Sequence, residues 1–206
     1  MNIYMRQFSF AGILAVAVVC AFAIAAAPLR AAAHGPHQPD VYDMGPLQPV
    51  ATVPLLHKGD AAPDFELPAT DGTKVRLSSF RGSKNVVISF VPAAFTPVCS
   101  DQWPGYNIAS ELFHRHDALL LGISADNTPS QHAWIQQMGG LWFPVLSDFW
   151  PHGATAAAYG VLRPEGVSER AIFVVDKQGR IAAAIISDIN KRPDLGLIID
   201  ALKDLP

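Results

Sequence analysis

Residues 86–99 read VVISFVPAAFTPVC, an apolar, β-branched run followed by a proline and a turn. The run at 86–91 is typical of a buried strand. Thr96 and Pro97 are residue types that begin helices, because threonine can cap the first turn and proline fits its first position. The stretch therefore predicts a strand that leads directly into a helix, with Cys99 in the first helical turn.

A cysteine at the start of a helix lies among backbone N–H groups that have no partner within the helix. These groups and the helix dipole favour an anion, and the thiolate is the reactive form of cysteine. The alternative for Cys99 is the ordinary role of a small buried hydrophobic residue. The stretch alone leaves both roles open, so other segments of the chain have to decide between them.

The hydrophobic pattern downstream of Cys99 predicts alternating helices and strands. A first amphipathic helix is expected to continue to about residue 116, with a kink at Pro104-Gly105. The remaining predicted elements are a strand at 118–124, a helix at 130–138, a strand at 143–146, a helix at 153–159, a hairpin at 170–175 and 180–186, and a helix at 194–202. This order predicts an α/β domain with mixed strand directions.

The motif Pro92-x-x-x-Thr96-x-x-Cys99 resembles the active site of the peroxiredoxins, whose cysteine reduces peroxides. Three further segments match that family in order: GDAAPDFEL at 59–67, LSDFWPHG at 146–153 and RAIFVVD at 170–176. The middle segment is most similar to the alkyl hydroperoxide reductase E subfamily, a one-cysteine type. The resemblance extends over residues 57–206.

This resemblance implies a thioredoxin-like fold with peroxiredoxin additions, in which helices flank a mixed central sheet. It also implies a thiol-dependent peroxidase, an antioxidant oxidoreductase that reduces hydrogen peroxide and organic hydroperoxides through a sulfenic acid on Cys99. The catalytic residues that it implies are Cys99, Thr96, Arg170 and Pro92, with no cofactor and no metal. Peroxiredoxins often dimerise beside the active-site turn, so a homodimer is expected.

Peroxide reduction needs a thiolate that attacks one oxygen and donors that stabilise the oxygen that leaves. Arg170 is the candidate donor, because a guanidinium stays charged and presents several N–H groups in a fixed fork. The alternative for Arg170 is a surface ion pair with Glu165 or Glu169.

The other residues of the motif have less direct roles. Thr96 has two candidate roles, as a helix cap and as a hydroxyl that meets the peroxide. Pro92 has no N–H donor and is expected to shape the pocket and exclude water. The backbone N–H groups of Val98 and Cys99 are candidate contacts for the oxyanion. Gln102 is a candidate for a supporting position.

Three aromatic residues are candidates for the dimer interface: Phe95, Trp103 and Trp150. His152 follows the last of these in the segment Trp150-Pro151-His152. The peroxidase mechanism requires no histidine, so a structural or interface role for His152 is favoured over acid–base chemistry.

Residues 1–33 have the pattern of an export signal. Arg6 precedes an apolar stretch at 8–27, about the length that spans a bilayer, and residues 31–33 supply a small-x-small cleavage pattern. Cleavage after Ala33 is expected, and retention of residues 8–27 as a membrane anchor is the alternative. The protein is therefore expected to be exported, periplasmic or extracellular, and free or membrane-anchored.

The proline-rich residues 34–56 predict a linker ahead of the domain at 57–206. His34 and His37 in this linker lack further ligands, so they predict no metal site.

The chain has two cysteines, and Cys20 lies in the apolar stretch, so the exported domain keeps only Cys99. A disulfide within that domain is therefore excluded. The sulfenic acid must be reduced by an external thiol, either a small thiol or a thioredoxin-like protein. Cys20 as a lipid attachment site is a minor alternative, because the residue before it is not small.

Charge and cysteine spacing argue against other function classes. A formal net charge of −3 without a basic block gives no electrostatic basis for nucleic-acid binding. A thioredoxin-like disulfide reductase needs Cys-x-x-Cys, but Gln102 stands three residues after Cys99. A copper-handling protein of this fold would need a second cysteine. A non-catalytic scaffold on the same fold is the remaining alternative, and the intact motif argues against lost activity.

Overall fold

The computed structural model describes residues 41–43, 45–49 and 55–205. They belong to the second of the two units into which the chain divides, residues 38–206. The predicted export signal or anchor at 1–33 and the histidine pair at 34 and 37 lie outside the described residues. Within the described ranges, no helix is both long and apolar enough to cross a bilayer.

Strands and helices alternate along the chain much as the hydrophobic pattern predicts. The strands are β1 (Glu66–Pro68), β2 (Lys74–Arg76), β3 (Asn85–Phe90), β4 (Ala118–Ser124), β5 (Val145–Ser147), β6 (Ala171–Val175) and β7 (Ile181–Ile186). The α-helices are α1 (Pro97–Ile108), α2 (Ser110–His114), α3 (Thr128–Gln137), α4 (Ala154–Ala158) and α5 (Leu195–Lys203), and a short 3-10 helix covers Leu77–Phe80.

β3 forms the centre of a mixed sheet in the order β5-β4-β3-β6-β7. It pairs in parallel with β4 and antiparallel with β6, while β1 and β2 form a separate hairpin. All six residues of β3 are buried, as expected for a strand covered on both faces. The predicted α/β architecture, a mixed sheet flanked by helices, is confirmed.

The two faces of β3 pack into two hydrophobic layers, because successive side chains of a strand point to opposite sides. Ile88 and Phe90 lie in one layer with Phe173. Val87 lies in the other layer with Cys99, which belongs to α1. The strand therefore positions the start of α1 directly over the sheet.

The single helix predicted to continue to about residue 116 is two helices, α1 and α2, which break at Ala109. Pro104 lies inside α1 and does not end it. The single-helix prediction was wrong because it placed Ile108 and Phe113 on one apolar face. Ile108 is 90% exposed, whereas Phe113 is fully buried, so the two segments present different faces to the core.

The described part of the predicted linker lies against the domain. The Leu47 N–H donates to Asn190 Oδ1 at 2.9 Å, and Asn190 Nδ2 donates to the Leu47 carbonyl at 2.8 Å. Arg163 Nη2 donates to the Gln48 carbonyl at 2.9 Å. Side chains of the domain thus hold the backbone of Leu47 and Gln48. The boundary at residue 57 stays a prediction.

Candidate active site

Cys99 is the third residue of α1 and is fully buried. The helix begins at Pro97, and Thr96 precedes it in an extended conformation. The Ser100 N–H donates to the Thr96 carbonyl at 2.9 Å, which starts the helical ladder. The N–H groups of Val98 and Cys99 come before that ladder, as the first N–H groups of any helix do. The predicted placement of Cys99 in the first helical turn is confirmed.

Arg170 lies beside Cys99 because of the strand register. Phe90, at the end of β3, pairs with Ala171, at the start of β6, so the preceding Arg170 reaches the turn that follows β3. Arg170 is 2% exposed, and its Nη2 donates to Cys99 Sγ at 3.5 Å. The alternative of a surface arginine is wrong, because Arg170 is buried at the N-terminal end of β6, beside the turn that follows β3.

The orientation of Arg170 is fixed by two further hydrogen bonds. Its Nη1 donates to Gln102 Oε1 at 2.6 Å, and its Nε donates to the Ile189 carbonyl at 2.9 Å. All three acceptors are formally neutral groups when Cys99 is a thiol. The guanidinium charge therefore remains available to an anion that forms beside Cys99.

Gln102 connects Arg170 to the interior of the domain. It is one turn after Cys99 and 1% exposed. Its Nε2 donates to Ser89 Oγ at 3.1 Å and to Tyr106 Oη at 3.2 Å, which turns Oε1 toward Arg170. Ser89 is a polar residue of β3, and its hydroxyl accepts from Gln102 and Trp103, so it points to the α1 side of the sheet. Gln102 thus positions Arg170.

Tyr106 completes this buried network as a neutral group. Burial raises its pKa to about 12, and the Gln102 hydrogen bond and the Arg170 charge offset only part of that rise. The phenol is therefore protonated at neutral pH, and its oxygen accepts from Gln102.

Thr96 does not cap α1 with its side chain. Its hydroxyl donates to the Ala93 carbonyl at 3.0 Å, and no side-chain hydrogen bond caps the helix. Thr96 is at the N-cap position and Pro97 begins the helix, as predicted, but the predicted capping hydrogen bond is wrong, because the hydroxyl is oriented toward the Ala93 carbonyl of the tight turn at 93–96. The predicted contact with peroxide stays a prediction.

The turn between β3 and α1 is held in a conformation that few residues adopt. Phe95 has a φ of 58°, in the left-handed region, which costs energy for a residue with a bulky side chain. The Ala94 N–H donates to the Asp126 carboxylate at 2.8 Å, and the Tyr42 N–H donates to the Phe95 carbonyl at 2.6 Å. These contacts hold the turn on both sides of Phe95.

Sequence reasoning did not identify Asp126 and Tyr42. A signal existed for Asp126, because it follows β4, and parallel neighbours such as β3 and β4 end at the same edge of a sheet. No signal existed for Tyr42, since its contact uses the backbone and its side chain is 71% exposed.

A cavity of about 250 Å³ opens at the start of α1. The buried Pro92 and Thr96 line its inner part, which agrees with the predicted pocket-shaping position of Pro92. Its other lining residues are Pro97, Val98 and Asn190 from the domain, and Asp43, Gly45, Pro46 and Leu47 from the N-terminal segment. The cavity thus leads to the turn that precedes Cys99.

The three predicted interface aromatic residues differ in exposure. Trp103 is fully buried, stacks on Trp134 with ring centroids 4.7 Å apart, and donates to Ser89 Oγ, so its predicted interface role is wrong. Trp150 is 81% exposed, and Phe95 is partly buried. His152 Nε2 lies 2.6 Å from the Gly166 carbonyl, which is a structural contact between loops.

The chain matches a known family model and curated relatives. The model for the AhpC/TSA family matches residues 58–184. Alkyl hydroperoxide reductase E of Mycobacterium tuberculosis is 39% identical over 152 residues, which cover 73% of this chain and 99% of that protein. A putative peroxiredoxin in the rubredoxin operon of Clostridium pasteurianum is 33% identical over 144 residues, covering 64% of this chain and 79% of that protein.

Solved structures with the same fold include two from Mycobacterium tuberculosis. Peroxidoxin BcpB has 30% identity and a TM-score of 0.65, over 72% of this chain and 97% of that chain. AhpC has 26% identity and a TM-score of 0.67, over 73% of this chain and 93% of that chain.

Proposed function

Because this chain belongs to the AhpC/TSA family and is a thiol-dependent peroxidase, we propose that Cys99 is its peroxide-reducing residue. We propose further that Arg170, Thr96 and Pro92 complete the catalytic site. The observation that carries the proposal is the 3.5 Å contact between Arg170 Nη2 and Cys99 Sγ, made between two buried residues.

In the proposed reaction the Cys99 thiolate attacks one oxygen of the peroxide. A sulfur–oxygen bond forms as the oxygen–oxygen bond breaks, and the other oxygen leaves as hydroxide or alkoxide and takes up a proton. Sulfur is oxidised to a sulfenic acid and the peroxide is reduced by two electrons. Arg170 Nη2, adjacent to sulfur, supports the developing negative charge on the leaving oxygen.

Thr96 supports the same step through a fixed orientation. Its hydroxyl hydrogen is committed to the Ala93 carbonyl, so the hydroxyl presents a lone pair to any other partner. We assign to that lone pair the role of accepting a hydrogen bond from the hydroperoxide O–H group, which orients the attacked oxygen toward Cys99. Pro92 supplies an apolar wall that has no donor to compete for the peroxide.

A direct test is mass spectrometry of the pre-reduced protein after brief exposure to hydrogen peroxide, with dimedone to trap sulfenic acid. The trapped adduct is expected on Cys99 and absent from the Cys99→Ser variant. Fast loss of peroxide by Cys99→Ser would refute the assignment of Cys99.

We propose that an external thiol completes the cycle. Outside residues 1–33, Cys99 is the only cysteine of the sequence, so residues 34–206 hold no second thiol to form a disulfide with the sulfenic acid. Turnover should therefore require an added small thiol or a thioredoxin-like protein. Repeated turnover with peroxide alone would contradict this.

We also propose that the protein is exported and forms a homodimer. Export is supported by the sequence pattern at 1–33 and is tested by cell fractionation and N-terminal sequencing. The homodimer is supported by two exposed aromatic side chains, Trp150 at 81% and Phe149 at 48%. Analytical ultracentrifugation of wild type and Trp150→Ser should show a dimer that the substitution weakens.

A further inference from the structure

Asp43 and residues 45–47, here called the N-terminal segment, form one wall of the cavity that leads to the turn before Cys99. Pro46 and Leu47 line the cavity from this segment, together with Pro92 and Pro97 from the domain. Leu47 is partly buried, and Asn190 holds its backbone N–H and carbonyl at 2.9 and 2.8 Å. The position of Leu47 is therefore set by a specific two-point contact.

Both sides of this contact lie outside the residues that the family model matches. The model covers 58–184, whereas the wall comes from Asp43 and residues 45–47 and its anchor is Asn190. The wall and its anchor thus lie outside that model, whereas Pro92 and Thr96 belong to the motif within it. Because this wall lies outside the motif that carries the peroxide chemistry, it is suited to select substrates rather than to take part in the reaction.

The chemistry of the lining indicates what the pocket can hold. Its surface is mainly apolar, and Leu47, Pro97 and Val98 are among its lining residues. Asp43 is the only charged side chain among the described lining residues, and its carboxylate accepts from the Gly45 N–H at 2.8 Å. A hydrocarbon group would fit this lining, whereas a substrate that carries its own carboxylate would meet a like charge at Asp43.

We propose that the N-terminal segment, Asp43 and residues 45–47, determines substrate specificity and favours neutral alkyl or aryl hydroperoxides, whose hydrocarbon part packs against Pro46 and Leu47. This inference rests on the proposed role of Cys99. The hydroperoxide group lies toward Thr96 and the hydrocarbon part lies toward the N-terminal segment. Hydrogen peroxide has no hydrocarbon part, so it gains nothing from this wall.

The test compares second-order oxidation rates of the full chain with hydrogen peroxide, cumene hydroperoxide and a fatty-acid hydroperoxide. Leu47→Ala should lower the ratio of the cumene to the hydrogen peroxide rate by about tenfold, the lower end of what a lost apolar contact contributes to discrimination. Asn190→Ala, which releases the segment, should lower the same ratio. The matched control is Leu55→Ala, at a leucine that is 68% exposed and does not line the cavity.

Asp43→Asn gives an independent readout. It should raise the rate with the fatty-acid hydroperoxide by a few-fold relative to cumene hydroperoxide, because the like charge is gone. An unchanged cumene to hydrogen peroxide ratio in both Leu47→Ala and Asn190→Ala would overturn the inference.

A failure of the proposed role of Cys99 looks different from a failure of this inference. If Cys99 were not the reactive thiol, wild type would oxidise no faster than a free thiol with any of the three peroxides. If only the specificity inference failed, wild type would react fast and the variants would keep its rate ratios.

Discussion

Replacing Arg170 with methionine removes the donors beside Cys99 while keeping a long, unbranched side chain in the buried space. The change deletes the Nη2 contact with Cys99 Sγ at 3.5 Å and the hydrogen bonds to Gln102 and Ile189. Only the first contact involves the reacting atom. Loss of one preorganised oxyanion donor typically slows a reaction by roughly 10²- to 10³-fold, or ~3–4 kcal/mol. We expect a fall of at least about a hundredfold with hydrogen peroxide.

The same change has opposing effects on stability. It leaves the Gln102 amide oxygen and the Ile189 carbonyl without their donor, at about 1–3 kcal/mol each. It also removes the cost of burying a guanidinium. Urea denaturation should therefore show a folded variant. Its free energy of unfolding should fall by less than the summed cost of the two unpaired acceptors.

Stopped-flow tryptophan fluorescence follows the reaction directly, because Trp134 Nε1 donates at 2.9 Å to Ser100 Oγ, next to Cys99 in the chain. Arg170→Lys is the matched variant, since it keeps the charge but loses the fork that spans Cys99 and Gln102. Its rate should lie between wild type and Arg170→Met. A folded Arg170→Met variant with a near-normal rate would refute the assignment of Arg170 as the oxyanion donor.

Two further predictions concern the packing beneath the site. A Cβ on Gly122 would lie 2.8 Å from Trp103 Cζ2, so Gly122→Ala should destabilise the fold by about 1–3 kcal/mol in urea denaturation, whereas Gly105→Ala, whose Cβ meets ordinary contact distances, should not. Burial raises the pKa of Tyr106 to about 12, whereas the same phenol in the unfolded chain ionises near pH 10. The free energy of unfolding should therefore fall by roughly 3 kcal/mol as pH rises from about 10 to about 12. Tyr106→Phe should fall less over that range; an equal fall in both proteins would show that Tyr106 is not the cause.

The central strand, the helix that follows it and the pairing of Cys99 with Arg170 could all be predicted from the sequence. The strand has a strong local signal, since its residues are β-branched and aromatic and a proline ends it. The predicted placement of Arg170 beside Cys99 is confirmed, because the family motif indicated which end of which strand meets the Cys99 turn. Pattern alone would have left Arg170 on the surface.

The failures involve geometry that local pattern does not encode. Thr96 is a good capping residue by type, but its hydroxyl is oriented toward the Ala93 carbonyl, and its oxygen accepts no N–H group of α1. Trp103 was predicted at an interface because aromatic residues are common there, yet the close approach allowed by Gly122 buries it. The contact between Leu47 and Asn190 joins residues 143 positions apart through the backbone of Leu47, so its side-chain type gave no signal.

The missing side-chain cap at Thr96 bears on how the oxidised enzyme is recycled. Cys99 is fully covered, so we expect that a protein thiol would reach its sulfur after the first turn of α1 opens. That turn has neither a capping side chain nor an acidic residue, and a cap would have added about 1 kcal/mol to its stability. Local opening of this turn therefore takes less free energy than in a capped helix, and its amide protons should exchange with solvent earlier than those at the centre of α1.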